Sequence, residues 1–363
     1  MSTLPRLLAD TIELSLTPFS WRRQLGARLR AGEPPGDIVR VLAPNTNQAR
    51  QRLARLPGLA RAAFERARQT SIRCIGWNDP DYPASLVTLD DPPPVLWVRG
   101  DPAVLAGPAV ALVGSRAGSA YATTVAGMLA ADLAAAGVIV VSGLARGVDV
   151  AAHRGALRAG GGTLAVLGSG VDVIYPPEHR PMAEAMSTGT RTALVSELPP
   201  GTRPLHWFFP LRNRIISGLS QAVVIVEAGK KSGSLITARC ALEQGREVLA
   251  VPGSVLGGRN HGGHALLRDG AKLVESADDI VEELGWQPAR MHPAPQPEAP
   301  PPSDGHDPVL TGWMAGESRD FDEILASSGL EAGRILSRLL ELELRGTIGR
   351  AGGGRFVRLD RSC

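Results

Sequence analysis

Between residues 109 and 253 the chain repeats one device six times: an apolar, largely β-branched run, a turn of glycine and small polar residues, then a stretch suited to a helix. The runs are Ala109–Val113, Val138–Val141, Thr163–Leu167, Thr192–Val195, Ala222–Val226 and Glu247–Val251. Their turns are Gly114–Ser115–Arg116, Ser142–Gly143, Gly168–Ser169–Gly170, Ser196–Glu197, Glu227–Ala228 and Pro252–Gly253. Short apolar runs without alternation belong to strands buried on both faces. Such strands, separated by helices, build a parallel sheet covered on both sides. The polar turns all lie at the carboxyl ends of the strands, where parallel sheets take their ligands. The expected fold class is therefore α/β, with a Rossmann-like parallel-sheet core over residues 71–286 and one ligand crevice.

The remaining chain divides around that core. At 363 residues the length calls for two or three domains. Residues 1–70 show helical periodicity broken at Pro18, Gly32–Gly36 and Pro57–Gly58, and LARLPGLARAAFERA predicts a helix, a tight turn and a second helix. This segment holds twelve Arg against five Asp plus Glu, a basic face that either meets a partner or is solvated. Residues 287–307 are a Pro-rich linker that cannot pack a core. In residues 308–363, a short helix over Asp320–Ser327 precedes a longer one over Leu330–Arg345, whose apolar face is Ile335, Leu336, Leu339, Leu340 and Leu342. The segment TIGRAGGGRFVRL then predicts a glycine-tipped hairpin, which completes a winged-helix pattern. From residue 308 onward Arg and acids are even, at eight each. Glu331, Glu341 and Glu343 share the longer helix with Arg334, Arg338 and Arg345. A helix reading duplex DNA needs an excess of cations, so protein docking is the better expectation for this unit.

Three scattered cysteines, Cys74, Cys240 and Cys363, fit a reducing compartment and give no metal spacing. No run of 18 apolar residues and no charged-then-apolar leader is present, so a cytoplasmic protein without a membrane partner is expected. The net charge of +3 is a weak argument for nucleic acid, so the placement of cations matters more than their sum.

That placement concentrates in FFPLRNRIISGLS, Phe208–Ser220, and in SGSLITA, which begins at Ser232. Helix N-termini there offer free N–H groups and a positive dipole end, and guanidinium forks add bidentate donors for phosphate oxygens. The candidate binding residues are Gly114, Ser115, Arg116, Ser142, Gly143, Arg146, Arg212, Asn213, Arg214, Lys230, Ser232, Gly233 and Ser234. Arg212 and Arg214 lie about 200° apart on a helix, so one is expected to meet phosphate and the other to pair with Glu197 or Glu227; Arg212 is the one assigned to phosphate. Lys230 and Lys231 flank the serine turn, and Lys231 is read as a plain exposed loop residue. Asp149 is expected to cap a helix, with His153 one turn on as a hydrogen-bonded core histidine. Trp207, Phe208 and Phe209 could stack bases, though packing is the better expectation for at least two of them. No acid, base or nucleophile is placed for bond breaking, and no cofactor fingerprint is complete: Gly114 and Gly118 lack the GxGxxG spacing.

The motifs VGSRAGSAYA, SGLARGVDVAAHRGAL, VLGSGVDVIYPPEH, SELPPGTRPLHWFFPLRNRIISGLS and EAGKKSGSLITARCALEQGREVLAVPGS follow DPDYPASLVTLDDPPPVLWVRGD and precede GGHALLRDGAKLV. Over about residues 79–284 they resemble the DprA/Smf family of DNA-processing proteins. The N-terminal helices resemble its sterile-alpha-motif-like (SAM-like) domain, and the C-terminal unit resembles its winged-helix appendage. The resemblance implies a core that binds single-stranded DNA, a homodimer, and loading of the recombinase RecA onto strands coated by single-strand-binding protein during natural transformation. It makes Arg116 the foremost backbone contact. Relatives place a lysine just after the Tyr175–Pro176 pair, and here Pro177 stands there, so a contact from that loop falls to His179 or Arg180. Two other readings compete. A lysine-decarboxylase-like nucleotide hydrolase needs a PGGxGT-like loop, and Pro252–Gly253 is followed instead by Ser254–Val255–Leu256. A non-catalytic nucleotide-sensing module needs no such loop.

Overall fold

The computed structural model describes residues 4–22, 24–286, 309–310, 313–314, 317–330, 335, 338–339, 342–343, 347–350 and 355–358. Two compact units emerge, Met1–Ala294 and Pro295–Cys363.

The first unit opens with four helices, α1 (Arg6–Ser15), α2 (Leu25–Arg30), α3 (Pro35–Leu42) and α4 (Asn47–Gln69). The expected break at Pro57–Gly58 does not occur, since both residues lie inside the single helix α4. They sit on its exposed side, while Leu56, Ala60, Ala63 and Ala67 are buried along the other. The lost N–H costs one hydrogen bond, and the packed stripe outweighs it. Ala60, Ala63 and Ala67 join Ile12 in a cluster that also contains Trp97 and Leu194 of the sheet, so the helices are built onto the core.

Nine strands form one sheet: β1 (Arg73–Gly76), β2 (Val95–Gly100), β3 (Ala109–Val113), β4 (Ile139–Ser142), β5 (Thr163–Val166), β6 (Thr192–Ser196), β7 (Ala222–Ile225), β8 (Glu247–Ala250) and β9 (Lys272–Leu273). All six runs read from the sequence are strands, and β3 to β9 pair in parallel as expected. The antiparallel strands β1 and β2 extend the sheet beyond β6. The spatial order is β1-β2-β6-β5-β4-β3-β7-β8-β9. The chain therefore builds outward from β3 to β6, then crosses back to lay β7 on the other side of β3. That reversal opens a crevice between the carboxyl ends of β3 and β7, as doubly wound sheets do at a switch point.

Helices α5 (Ala84–Val87), α6 (Ala120–Ala135), α7 (Val148–Arg158), α8 (Arg180–Thr188), α9 (Phe208–Gly218), α10 (Ser234–Glu243), α11 (His261–Arg268) and α12 (Ala277–Glu283) complete the unit. One face of the sheet packs Val110, Leu112 and Val140 against Ala126, Leu129 and Ala156 of α6 and α7. The other packs Ala111, Val141 and Val223 against Ile215, Ile216 and Ala238 of α9 and α10. Each fully buried Val, Leu or Ile contributes about 1.5–3 kcal/mol, so the two-sided core holds the crevice walls rigid.

In the second unit, α13 (Phe321–Ser328) starts at Asp320 with a capping box to Glu323 and ends at Gly329 in the left-handed conformation. Strands β10 (Ser318–Arg319), β11 (Ile348–Arg350) and β12 (Phe356–Arg358) form a sheet in the order β10-β12-β11, and the expected hairpin pairs Ile348 with Arg358. Ile335, Leu339 and Leu342 are buried in its core with Trp313 and Ile324. Leu336, Leu340, Glu331, Arg334, Glu341, Arg345 and the glycine tip lie outside the described residues.

Candidate nucleic-acid interface

A cavity of about 540 Å³ occupies the switch point. Of the candidate residues, Gly114, Ser115, Arg116, Arg212, Asn213, Ser232, Gly233 and Ser234 line it. Gly114 is required by packing: a side chain there would collide with Val148 of α7. The turn after β3 is held by the Ser115 N–H, which donates to the Glu227 carbonyl at 2.8 Å, and by the Val148 N–H, which donates to the Ser115 carbonyl. Arg116 is exposed, and its guanidinium lies 5.3 Å from the centre of the Phe209 ring. Across the crevice Asn213 donates to the Gly233 carbonyl at 3.4 Å, while the Ser232 and Ser234 hydroxyls are 2.7 Å apart. The start of α9 and the start of α10 thus face the same space.

The two arginines of α9 part as their spacing requires. Arg214 donates to both oxygens of Glu197 at 2.9 Å and to Asp91 at 3.3 Å. Burial works against its charge, but Glu197 and Asp91 outweigh burial and raise its pKa. Arg212 takes the crevice side but lies deep, only 5% exposed. It donates to the Gly143 carbonyl at 2.9 Å, and its Nε has no partner among the described residues. Burial lowers its pKa to about 10, with nearby Asp149 opposing the shift, so it stays a cation at neutral pH. A side chain on Gly143 would overlap this guanidinium, which explains the glycine.

Asp149 is the second residue of α7 and not its N-cap; Gly147, with φ +72°, holds that place. The carboxylate reaches back to the Gly143 N–H at 3.1 Å and the Ala145 N–H at 3.4 Å. Burial raises its pKa, against the pull of Arg212. His153 is buried and bonded to Thr163 Oγ1 at 2.8 Å, as expected of a core histidine.

The other candidates fall elsewhere. Gly143 and Arg146 line a smaller neighbouring cavity of about 70 Å³ with Arg116, Tyr175 and Phe209. Arg146 is exposed and pairs with Glu178 at 2.5 Å. The Ser142 hydroxyl is spent on the Leu112 carbonyl. Lys231, read from the sequence as a plain loop residue, lines the main cavity, and Lys230 does not. His179 bonds the Leu144 carbonyl, and Arg180 is exposed. Arg22 and Asp91 complete the Glu197 cluster, and neither was legible in the sequence: Arg22 lies outside the motifs, and Asp91, though inside DPDYPASLVTLDDPPPVLWVRGD, is 123 residues from the Arg214 it meets. Among the described residues no group of His, Cys, Asp or Glu is arranged for a metal, and no helix is long and apolar enough to cross a membrane.

Fold and crevice together define a doubly wound α/β protein whose switch point brings cations and two helix starts to one cavity. The chain belongs to the DNA recombination-mediator protein A family, whose model matches residues 73–285; the DprA winged helix domain matches residues 292–354. It is 42% identical over 287 residues to the protein Smf of Escherichia coli, covering 78% of this chain and 76% of that one. With the DNA processing protein DprA of Bacillus subtilis it shares 43% identity over 239 residues, 66% of this chain and 78% of the relative. The crystal structure of DprA from Streptococcus pneumoniae aligns with a TM-score of 0.66 at 34% identity, covering 78% of this chain and 99% of that one. A structure of the Helicobacter pylori protein, described for its single-stranded DNA binding mode, aligns with a TM-score of 0.52 at 28% identity over 59% of this chain and 95% of that one.

Proposed function

We propose that the crevice holds the sugar-phosphate backbone of single-stranded DNA. The observation that carries this reading is the convergence of Arg116, Arg212, Lys231 and the starts of α9 and α10 on one cavity, with Asp149 its only lining carboxylate among the described residues. Those groups donate hydrogen bonds and positive potential to successive phosphates without reading bases. The single-stranded DNA binding named for the Helicobacter pylori relative supports the same ligand. On this reading the protein is a cytoplasmic homodimer that protects incoming strands and loads a RecA-type recombinase onto strands coated by single-strand-binding protein.

How the acids are used supports binding without turnover. Glu227 accepts from the Ser119 N–H and hydroxyl, and Glu197 is held between Arg22 and Arg214. Neither is free to activate water, which argues against the hydrolase reading.

The test is fluorescence anisotropy with labelled oligo-dT and a duplex of equal length across a salt series. Tighter binding to oligo-dT, weakening steeply with salt, is expected. Preference for duplex, or salt-independent binding, would overturn the proposal. Recombinase filament growth on coated strands, with and without the protein, tests the loading step.

A further inference from the structure

Trp207 is half exposed, at 52%, in a chain that is only 4% aromatic. It heads α9, the helix that supplies Arg212 and Asn213 to the crevice. Phe208 is buried, and Phe209 lies beneath Arg116 on the crevice wall. Trp207 and Phe209 are two residues apart, about 200° around the helix, so they flank Phe208 on opposite sides. The indole is fixed in place. Its ring lies 3.9 Å from that of Phe208, and Phe19 meets it edge-on at 5.9 Å and 85°. Phe19 is in turn covered by Arg22 at 4.1 Å, and Arg22 pairs with Glu197 at 3.3 Å.

A large ring held by packing yet half in solvent is pre-organised for contact and loses little entropy when it makes one. We propose that Trp207 is a stacking platform for a nucleobase of the strand as it leaves the crevice over the start of α9. The proposal rests on the reading of the crevice as a single-strand site. Sequence-independent binding of such strands alternates cations for phosphates with aromatic faces for bases, and every base has a π-face. Arg116 and Arg212 supply the cations, and Trp207 is the fixed face beyond them. The N-terminal helical unit then takes part in binding indirectly, through Phe19 and Arg22.

The experiment compares oligo-dT with an oligonucleotide of equal length built from abasic units, so that the phosphates are the same and the bases absent. Trp207→Ala should weaken oligo-dT binding about fivefold or more, leave the abasic strand unaffected, and keep the salt slope. Trp207→Phe should retain the affinity. Trp207→Leu, which keeps apolar bulk, should lose it. Full affinity in Trp207→Ala, rescue by Leu, or equal weakening on both strands would overturn the platform and make the ring a packing or protein-docking group. A wild type blind to the missing bases would also overturn it while leaving the phosphate crevice standing. If Arg116→Ala also leaves oligo-dT affinity and its salt slope unchanged, the crevice reading itself falls.

Discussion

Arg214 lays its guanidinium on the Glu197 carboxylate through two hydrogen bonds of 2.9 Å, and both side chains are almost wholly buried. Glu197 follows β6, Arg214 sits in α9, and Arg22 reaches the same carboxylate from the N-terminal helices. A single acid therefore anchors the crevice helix to two other parts of the fold. Glu197→Gln leaves two buried cations undercompensated and should cost about 3–5 kcal/mol of stability. Urea unfolding reads it: the midpoint should fall at constant slope, and a destabilisation below about 1 kcal/mol would refute the anchoring role.

Arg116 is an exposed cation of the crevice, as Lys231 is, and it rests against the Phe209 ring rather than in the buried ion-pair network around Glu197. Arg116→Ala should weaken oligo-dT binding and flatten the log–log salt slope by about 0.7 for each phosphate it no longer neutralises. Anisotropy across the salt series decides it. An unchanged slope in a folded variant would remove Arg116 from the residues that meet the DNA backbone.

Arg212 and Ser234 line the same cavity from different helices. Their effects on binding should not add. In a double-mutant cycle with Arg212→Lys and Ser234→Ala, a coupling of about 0.5 kcal/mol or more is expected. Strictly additive effects would place the two residues at separate sites.

His153 is buried neutral, and burial, reinforced by Arg212 and His179, lowers its pKa from 6.5 to about 3. Below pH 6.5 the unfolded chain binds a proton that the folded chain refuses. This group's contribution to stability is therefore unaffected above that pH and falls as the pH drops toward 5, by at most about 1.4 kcal/mol per unit. Unfolding measured between about pH 7 and 5 should show a shallower pH dependence in His153→Gln than in the wild type. Coincident slopes would disprove the assignment.

Residues 287–307 are Pro-rich in sequence, and from residue 308 onward Arg and acidic residues are balanced. Truncation at about Pro297 should leave most single-strand affinity in the first unit. Defects should appear instead in duplex binding, higher-order assembly or association with a protein partner. A fall of tenfold or more in oligo-dT affinity, about 1.4 kcal/mol, with dimerisation intact would move the main DNA-binding surface to the second unit.

What the sequence determined was local. Six apolar runs became six strands because burial on both faces leaves a continuous apolar signature. The glycine and serine turns mark strand ends and helix starts for the same reason, and the two-residue spacing of Arg212 and Arg214 already required them to face apart. Non-local packing decided the rest. The placement of β7 beside β3 sets where the crevice opens, and no run encodes its neighbour in the sheet. Pro57 stays helical because Leu56 and Ala60 are packed beneath it. Arg212 lies deep because Gly143, 69 residues away, leaves room for its guanidinium and accepts its hydrogen bond. Lys231 rather than Lys230 reaches the cavity, a choice made by one step of loop geometry. Chain pattern decides which residues are buried or turn, whereas which polar groups meet depends on how distant segments pack.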